Sequence, residues 1–267
     1  MTIWQKYLII LGFLIPVLSR AEQVTLSMSA PGYWCPYTCS TDANVDGFVV
    51  DIVREVYRRN GYALNFSAMN YDRALLYTHH GENMLIAPVY PGEVKGLIMP
   101  KLPITKNKLC FYTMPNSEWQ YQGLSSLDGV TLGVISGYAY GALIDDYIQT
   151  YRQDPKRVDK NYGESITKQM VRKLSAKRFD VFIEDQNLIL FFLKQNPKHS
   201  LREASCLAPT QGYLAISPHV QYAQHLAALF DQTFPQLERD GTLNHIMEKY
   251  GLSRSLWVSD ERRVDQK

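Results

Sequence analysis

Apolar residues along this chain recur first at strand spacing, then at helix spacing, and the alternation repeats to the end. Residues 24–28 (VTLSM) alternate apolar and polar, the period of a half-buried strand, and lead into a loop at 31–46 rich in proline, glycine and aromatics. From 47 to 60, Phe48, Ile52, Val53, Val56 and Tyr57 fall on one helical face, and Asn60-Gly61 stop it. A short strand at 63–66, a short helix at 72–79 that Asp72 can cap, and apolar strands at 84–88 and 109–114 follow.

A second series repeats the plan. A turn at 126–129 precedes a buried strand at 131–135, and Gly137 opens a loop into a helix near 142–151. Residues 164–177 place Ile166, Met170 and Leu174 on one helical face. The run at 179–183 is a strand that ends in Glu184-Asp185, and 187–194 is a helix. A strand at 213–217 and two amphipathic helices at 219–237 and 241–250 close the chain, with Gly251 as the stop. Strands alternating with helices predict βαβ units on a mainly parallel sheet.

Charge removes one class of function. The 267 residues carry 28 Lys and Arg against 26 Asp and Glu. Lys6 and Arg20 account for the excess, so the chain from residue 22 onward is balanced. A balanced body lacks the basic excess that nucleic-acid partners require.

The first 21 residues read as an export signal. Lys6 precedes a 12-residue apolar run at 7–18, and Ser19-Arg20-Ala21 supplies small residues at the −3 and −1 positions of a cleavage site. The run is too short to span a bilayer, which takes about 20 apolar residues, and it contains Pro16. The mature chain is thus expected from Glu22, in an oxidising compartment.

Four cysteines, Cys35, Cys39, Cys110 and Cys206, suit that compartment and allow three pairings. Cys35 and Cys39, within WCPYTC, are close enough to form a small ring, which leaves Cys110 and Cys206 to tie two distant segments. Loop-closure entropy gives about 2 kcal/mol for the small ring and about 4.7 for the long one. A zinc site is the competing reading, although the C-x3-C spacing has no second close pair and no nearby histidine.

Four blocks, in this order, resemble the family 3 extracellular solute-binding proteins, the periplasmic receptors for polar amino acids. They are GFVVDI at 47–52, SLDGVTLGVISG at 126–137, FDVFIED at 179–185 and DGTLNHIMEKYG at 240–251. The resemblance implies a two-lobed α/β fold of the type II periplasmic-binding-protein kind. Each lobe would be a mainly parallel sheet flanked by helices, and two crossing strands would join them. The implied division is a signal peptide at 1–21, lobe 1 at 22–112, lobe 2 at 113–212, and a return crossover completing lobe 1 at 213–267. The strands at 109–114 and 213–217 would be the crossovers, which places Cys110 and Cys206 near the hinge and favours their pairing.

Ligands of parallel sheets bind outside the carboxyl ends of the strands. Loops there are rich in tyrosine: Tyr33, Trp34 and Tyr37 after the first strand, Tyr71 before the next helix, Tyr90 after 84–88, and Tyr138 and Tyr140 after 131–135. Tyrosine offers a flat apolar face and one hydroxyl, which suits a small polar ligand with an apolar body. The resemblance assigns ligand stacking to Tyr37 and contact with an α-amino group to Asp185. The other reading of Asp185 is a helix N-cap for the segment from Asn187. Glu184 points to the opposite face if the strand persists.

One departure bears on the ligand. The family's carboxylate-clamping arginine falls at Val94 in APVYPGEV (87–94), and valine cannot replace a bidentate fork. Arg73, at a helix start, is the preferred substitute, and Lys95 the other.

No nucleophile elbow, zinc-protease or Walker motif is present, and the six histidines show no metal-ligand spacing. The expectation is a monomeric, non-enzymatic periplasmic receptor without cofactor or metal. It would bind a small polar, amino-acid-like ligand through Tyr37, Tyr71, Arg73, Tyr90, Tyr138 and Asp185 and deliver it to an inner-membrane ABC permease. A sensory protein using the same cleft and a dehydratase-like enzyme are the alternatives.

Overall fold

A computed structural model describes residues 23–39, 45–90, 94–163 and 166–252. The export signal expected at 1–21 lies outside them, as does the end of the expected final segment. In chain order the first elements are β1 (Thr25–Ala30), β2 (Tyr33–Trp34), β3 (Thr38–Cys39), α1 (Phe48–Arg58), β4 (Ala63–Ala68), α2 (Tyr71–His80), β5 (Leu85–Val89) and β6 (Thr105–Asn107). The second series is β7 (Leu109–Thr113), β8 (Leu132–Ile135), α3 (Ala142–Thr150), β9 (Val158–Asn161), α4 (Ile166–Ser175), β10 (Val181–Asp185), α5 (Gln186–Gln195) and β11 (Arg202–Cys206). The chain then returns through β12 (Thr210–Ile216) to α6 (Ala223–Arg239) and α7 (Thr242–Lys249).

These strands build two five-stranded sheets, ordered β4-β1-β5-β12-β6 and β11-β7-β10-β8-β9, plus the small β2-β3 ribbon. The two-lobed α/β expectation is met, with one refinement. β4-β1-β5 and β10-β8-β9 are parallel, as βαβ passes require, whereas β12 and β7 pair antiparallel with both of their neighbours. The antiparallel strands are those next to the crossings, because a strand that enters or leaves a lobe runs against the βαβ series.

β6 belongs to the first sheet and β7 to the second, so the chain changes lobe at Lys108; it returns through 207–209, between β11 and β12. β6, β9 and β11 were not legible as strands, since they are short or polar. Gly212 is required where the crossing packs tightly, because a Cβ there would come within 2.6 Å of Thr105 Cγ2 and 3.0 Å of Pro88 Cβ.

Each sheet is covered on both faces. Leu26, Met28 and Leu85 of the first pack with Phe48, Ile52 and Phe230 of α1 and α6, while Ile86 and Val89 pack with Ala74 of α2. In the second sheet, Phe111, Val181 and Ile183 face Ile144 and Tyr147 of α3, and Phe182 and Tyr112 face Met170 and Leu174 of α4. Burial on both faces explains why these strands read as continuous apolar runs.

Two blocks far apart in the sequence meet in space. Asp51 of GFVVDI accepts hydrogen bonds from Tyr250 Oη and Lys249 Nζ, each at 2.8 Å, and the Gly47 N–H donates to Tyr250 Oη at 3.1 Å. Helix α2 starts one residue earlier than predicted and is capped by Asn70, not Asp72: the Asn70 side chain accepts from Asp72 N at 3.0 Å and Arg73 N at 3.4 Å.

Both disulfides of the favoured pairing are formed, Cys35–Cys39 and Cys110–Cys206, and no free cysteine remains. An oxidised cysteine cannot supply a thiolate, which removes the zinc reading. Cys110 and Cys206 sit opposite each other on β7 and β11, beside both crossings. Among the described residues no helix is long and apolar enough to cross a membrane.

Candidate functional site

A cleft of about 630 Å³ opens between the two sheets at the crossing. Its first wall comes from the chain after β1 (Pro31, Tyr33, Trp34), from Tyr71 at the start of α2, and from Pro88 and Tyr90 at the end of β5. The second wall is residues 138–144, after β8, together with Tyr121. Asn107, Leu109, Leu207 and Thr210 form the floor at the crossing, and Glu184 and Asp185 close the end of β10. Tyr33 and Leu143 stand on opposite rims, 65% and 68% exposed.

Of the residues expected here, Tyr71, Tyr90, Tyr138 and Asp185 line the cleft. Tyr37 does not. It is fully buried one layer below, with Trp34 stacked on it at 4.4 Å and an interplanar angle of 16°. The Cys35–Cys39 bridge explains the exchange, since it closes the tight turn of the β2-β3 ribbon. Trp34 at the end of β2 then faces the cleft, while Tyr37 turns inward onto Phe48 at 4.8 Å. Within WCPYTC it is therefore Trp34, three residues before Tyr37, that lines the cleft.

Tyr37 has a different role. Its hydroxyl lies 2.9 and 3.0 Å from the two carboxylate oxygens of Asp185, to which it donates, and accepts from Asn187 Nδ2 at 2.7 Å. Asp185 Oδ1 also caps α5, accepting from Asn187 N at 2.9 Å and Leu188 N at 3.2 Å. Asn107 Nδ2 donates to Oδ2 at 3.3 Å. Asp185 thus caps the helix while bordering the cleft. It also ties lobe 1, through Tyr37, to lobe 2. Burial pushes its carboxyl up to about 6, against the opposing effect of these donors.

Glu184, set aside in the sequence as facing away, reaches the cleft as well. The site lies beyond the end of β10 rather than over one face of the sheet, so alternation along the strand does not exclude it. Glu184 is fully buried; its Oε1 accepts from Asp185 N at 2.8 Å, and its Oε2 has no hydrogen-bond partner. Burial, reinforced by the neighbouring Asp185 charge, pushes its carboxyl up to about 8. Burial likewise raises the hydroxyls of Tyr138 and Tyr140, with Glu184 adding to the effect.

Neither substitute for the missing arginine is brought to the site. Arg73 is exposed on α2 and Lys95 is exposed after Val94, both outside the lining. Val94 is buried among Ala74, Ile86, Val89 and Ala215, so its position is an apolar packing site. Among the described residues no lysine or arginine lines the cleft. Its chemistry is that of an aromatic-walled slot with two buried carboxylates. Trp34, Asn107, Tyr121 and Glu184 are among the lining residues that sequence reasoning did not assign to binding, and of these four the tryptophan beside a cysteine pair carried the visible signal.

No protein-family model matches the chain. It is 22% identical over 246 residues to a protein described as a probable histidine-binding protein of Campylobacter jejuni, with 88% of each chain covered. Among solved structures it is similar to the L-cystine solute receptor of Neisseria gonorrhoeae in the unliganded open conformation. That match has a TM-score of 0.65 and 17% identity and covers 89% of this chain and 96% of the other. It is also similar to a chain described under glutathione import via GshT and the cystine ABC importer TcyBC of Streptococcus mutans. There the TM-score is 0.69 and the identity 13%, over 90% of this chain and 99% of the other. The fold is that of these two-lobed solute receptors.

Proposed function

We propose that the chain is an exported solute-binding receptor that closes its two lobes on a small polar ligand and presents it to an inner-membrane ABC permease. The observation that carries this reading is the cleft itself. Both lobes contribute aromatic faces to it, both chain crossings form its floor, and buried polar groups converge at one end. Clefts of this volume with a few convergent polar groups are the usual form of a small-molecule site. Hinge closure about two crossing segments brings such walls together. The binding roles named for the similar proteins support the same reading, as does the paired state of all four cysteines, which fits an oxidising periplasm. The receptor acts as a monomer and catalyses no reaction.

A thermal-shift screen of the purified protein against amino acids, amines, dicarboxylates and short peptides tests this. A ligand at 100 times its Kd adds about 2.7 kcal/mol of stability and raises the melting temperature accordingly. At least one class is expected to do so; no shift with any class overturns the receptor reading.

A further inference from the structure

We propose that Glu184 is the ligand-anchoring carboxylate of this cleft, and that the ligand is a small organic cation bearing N–H groups whose capture requires no carboxylate of its own. The inference rests on the receptor reading and narrows it to a chemical class.

The two acidic neighbours are not equivalent. Asp185 is occupied by the protein: Tyr37, Asn107 and the Asn187 and Leu188 N–H groups of α5 all donate to it. Glu184 spends one oxygen on the Asp185 N–H and leaves Oε2 fully buried without a partner. Asn107 Oδ1, in the same lining, is a second buried acceptor without a partner. Unpaired buried acceptors of this kind are costly, and a donor from the ligand relieves them. Once Glu184 has given up its proton, the complement of two orphaned acceptors is an ammonium or guanidinium group rather than an anion.

The rest of the cleft agrees. No lysine or arginine lines it among the described residues, and the three internal stretches outside them (40–44, 91–93 and 164–165) contain none. A ligand carboxylate would enter a desolvated slot beside two acidic groups with no counter-charge, which is unfavourable. Trp34, Tyr71, Tyr90 and Tyr138 line it, and aromatic rings attract a cation and accommodate an aliphatic or aromatic body. The charged and titratable groups facing Glu184 are Asp185 on its own strand, Tyr112 on β7, and Tyr138 and Tyr140 after β8. All of these are acids, so among the described residues none supplies a neutralising cation.

Matched pairs that differ only in the carboxylate test this: histamine against histidine, agmatine against arginine, cadaverine against lysine, each titrated calorimetrically. At least one amine is expected to bind as tightly as its amino acid or tighter, and Glu184→Gln is expected to weaken it by about 30-fold or more. With the unmodified protein, amine binding is expected to strengthen from pH 6 to pH 8 and to release protons, since Glu184 must ionise to pair. Amino acids that bind while their amines do not would overturn the inference and leave the receptor reading intact. Unchanged amine affinity in Glu184→Gln, or amine binding without proton release, would overturn the assignment of the anchor. A protein that binds none of the compounds tested here or in the wider screen fails at the receptor reading itself.

Discussion

Gly47 illustrates how much one residue of the GFVVDI block is asked to do. It sits at φ 106°, a conformation open to glycine, and a Cβ there would stand 2.3 Å from the Tyr37 carbonyl oxygen. That close approach lets Phe48 N and Val49 N donate to the carbonyls of Pro36 and Tyr37, which docks the start of α1 onto the loop carrying Trp34. Gly47→Ala is therefore expected to destabilise the protein by about 3 kcal/mol or more, measured by chemical denaturation, through strain and backbone displacement together. Tyr37 makes a different prediction from the one its expected role implied. Tyr37→Phe keeps the ring under Trp34 but strips Asp185 of a donor and Asn187 of an acceptor, which should cost about 1–2 kcal/mol in thermal unfolding. Asp185→Ala would remove the α5 cap as well, so loss of binding in that variant would mix folding with recognition.

At the scale of elements, the crossing is the decisive arrangement. β6 and β12 pair in one sheet, β7 and β11 in the other, and the Cys110–Cys206 bridge clamps the second pair beside the point where both chains cross. The bridge closes a loop with a sequence separation of 96, so replacing both cysteines by alanine is expected to cost up to about 4.7 kcal/mol in chemical denaturation. The Cys35–Cys39 ring is worth about 2 kcal/mol on the same reasoning, and its larger effect is expected on binding, because it sets which aromatic of WCPYTC faces the cleft. Helix α5 adds a second tie between lobes: its cap meets Tyr37, and Leu188 packs into the core of the first lobe.

For the whole molecule, the buried acidic pair sets the direction of the pH dependence. Glu184 and Asp185 hold their protons up to about 8 and about 6 in the folded chain, above their ordinary values. Between the unfolded and folded values the native state binds more protons, so their contribution to stability is present at low pH and lost as pH rises. Glu55 acts in the opposite sense: paired with Arg58 and Arg59 and held down to about 2, it adds stability as pH rises towards 4.5. The unliganded protein is thus expected to be most stable near pH 5 and to lose melting temperature towards pH 8, with a flatter profile in Glu184→Gln. A melting temperature that rises steadily from pH 5 to pH 8, with the same slope in that variant, would count against a proton on Glu184. An amine ligand should reverse the slope, since its pairing strengthens over the same interval.

The main alternation of strands and helices and the aromatic and acidic character of the loops at the strand ends were legible along the chain, while the two-lobed architecture was implied by the resemblance of four blocks to a known family. The alternation and the loop character depend on local periodicity and residue type, which neighbours in sequence suffice to express. The start of α2 at Asn70, the crossing at Lys108, and the exchange of Tyr37 for Trp34 were not, because they follow from contacts between segments far apart. The contrast between Asp185, saturated by donors from both lobes, and Glu184, left with an open oxygen, belongs to the same kind: adjacent carboxylates look alike in sequence, and only the packing around them assigns their partners. The place of Arg73 outside the cleft lining is of the same kind, since which side of a helix meets the opposite lobe is decided by how the two sheets are placed, not by the helix itself.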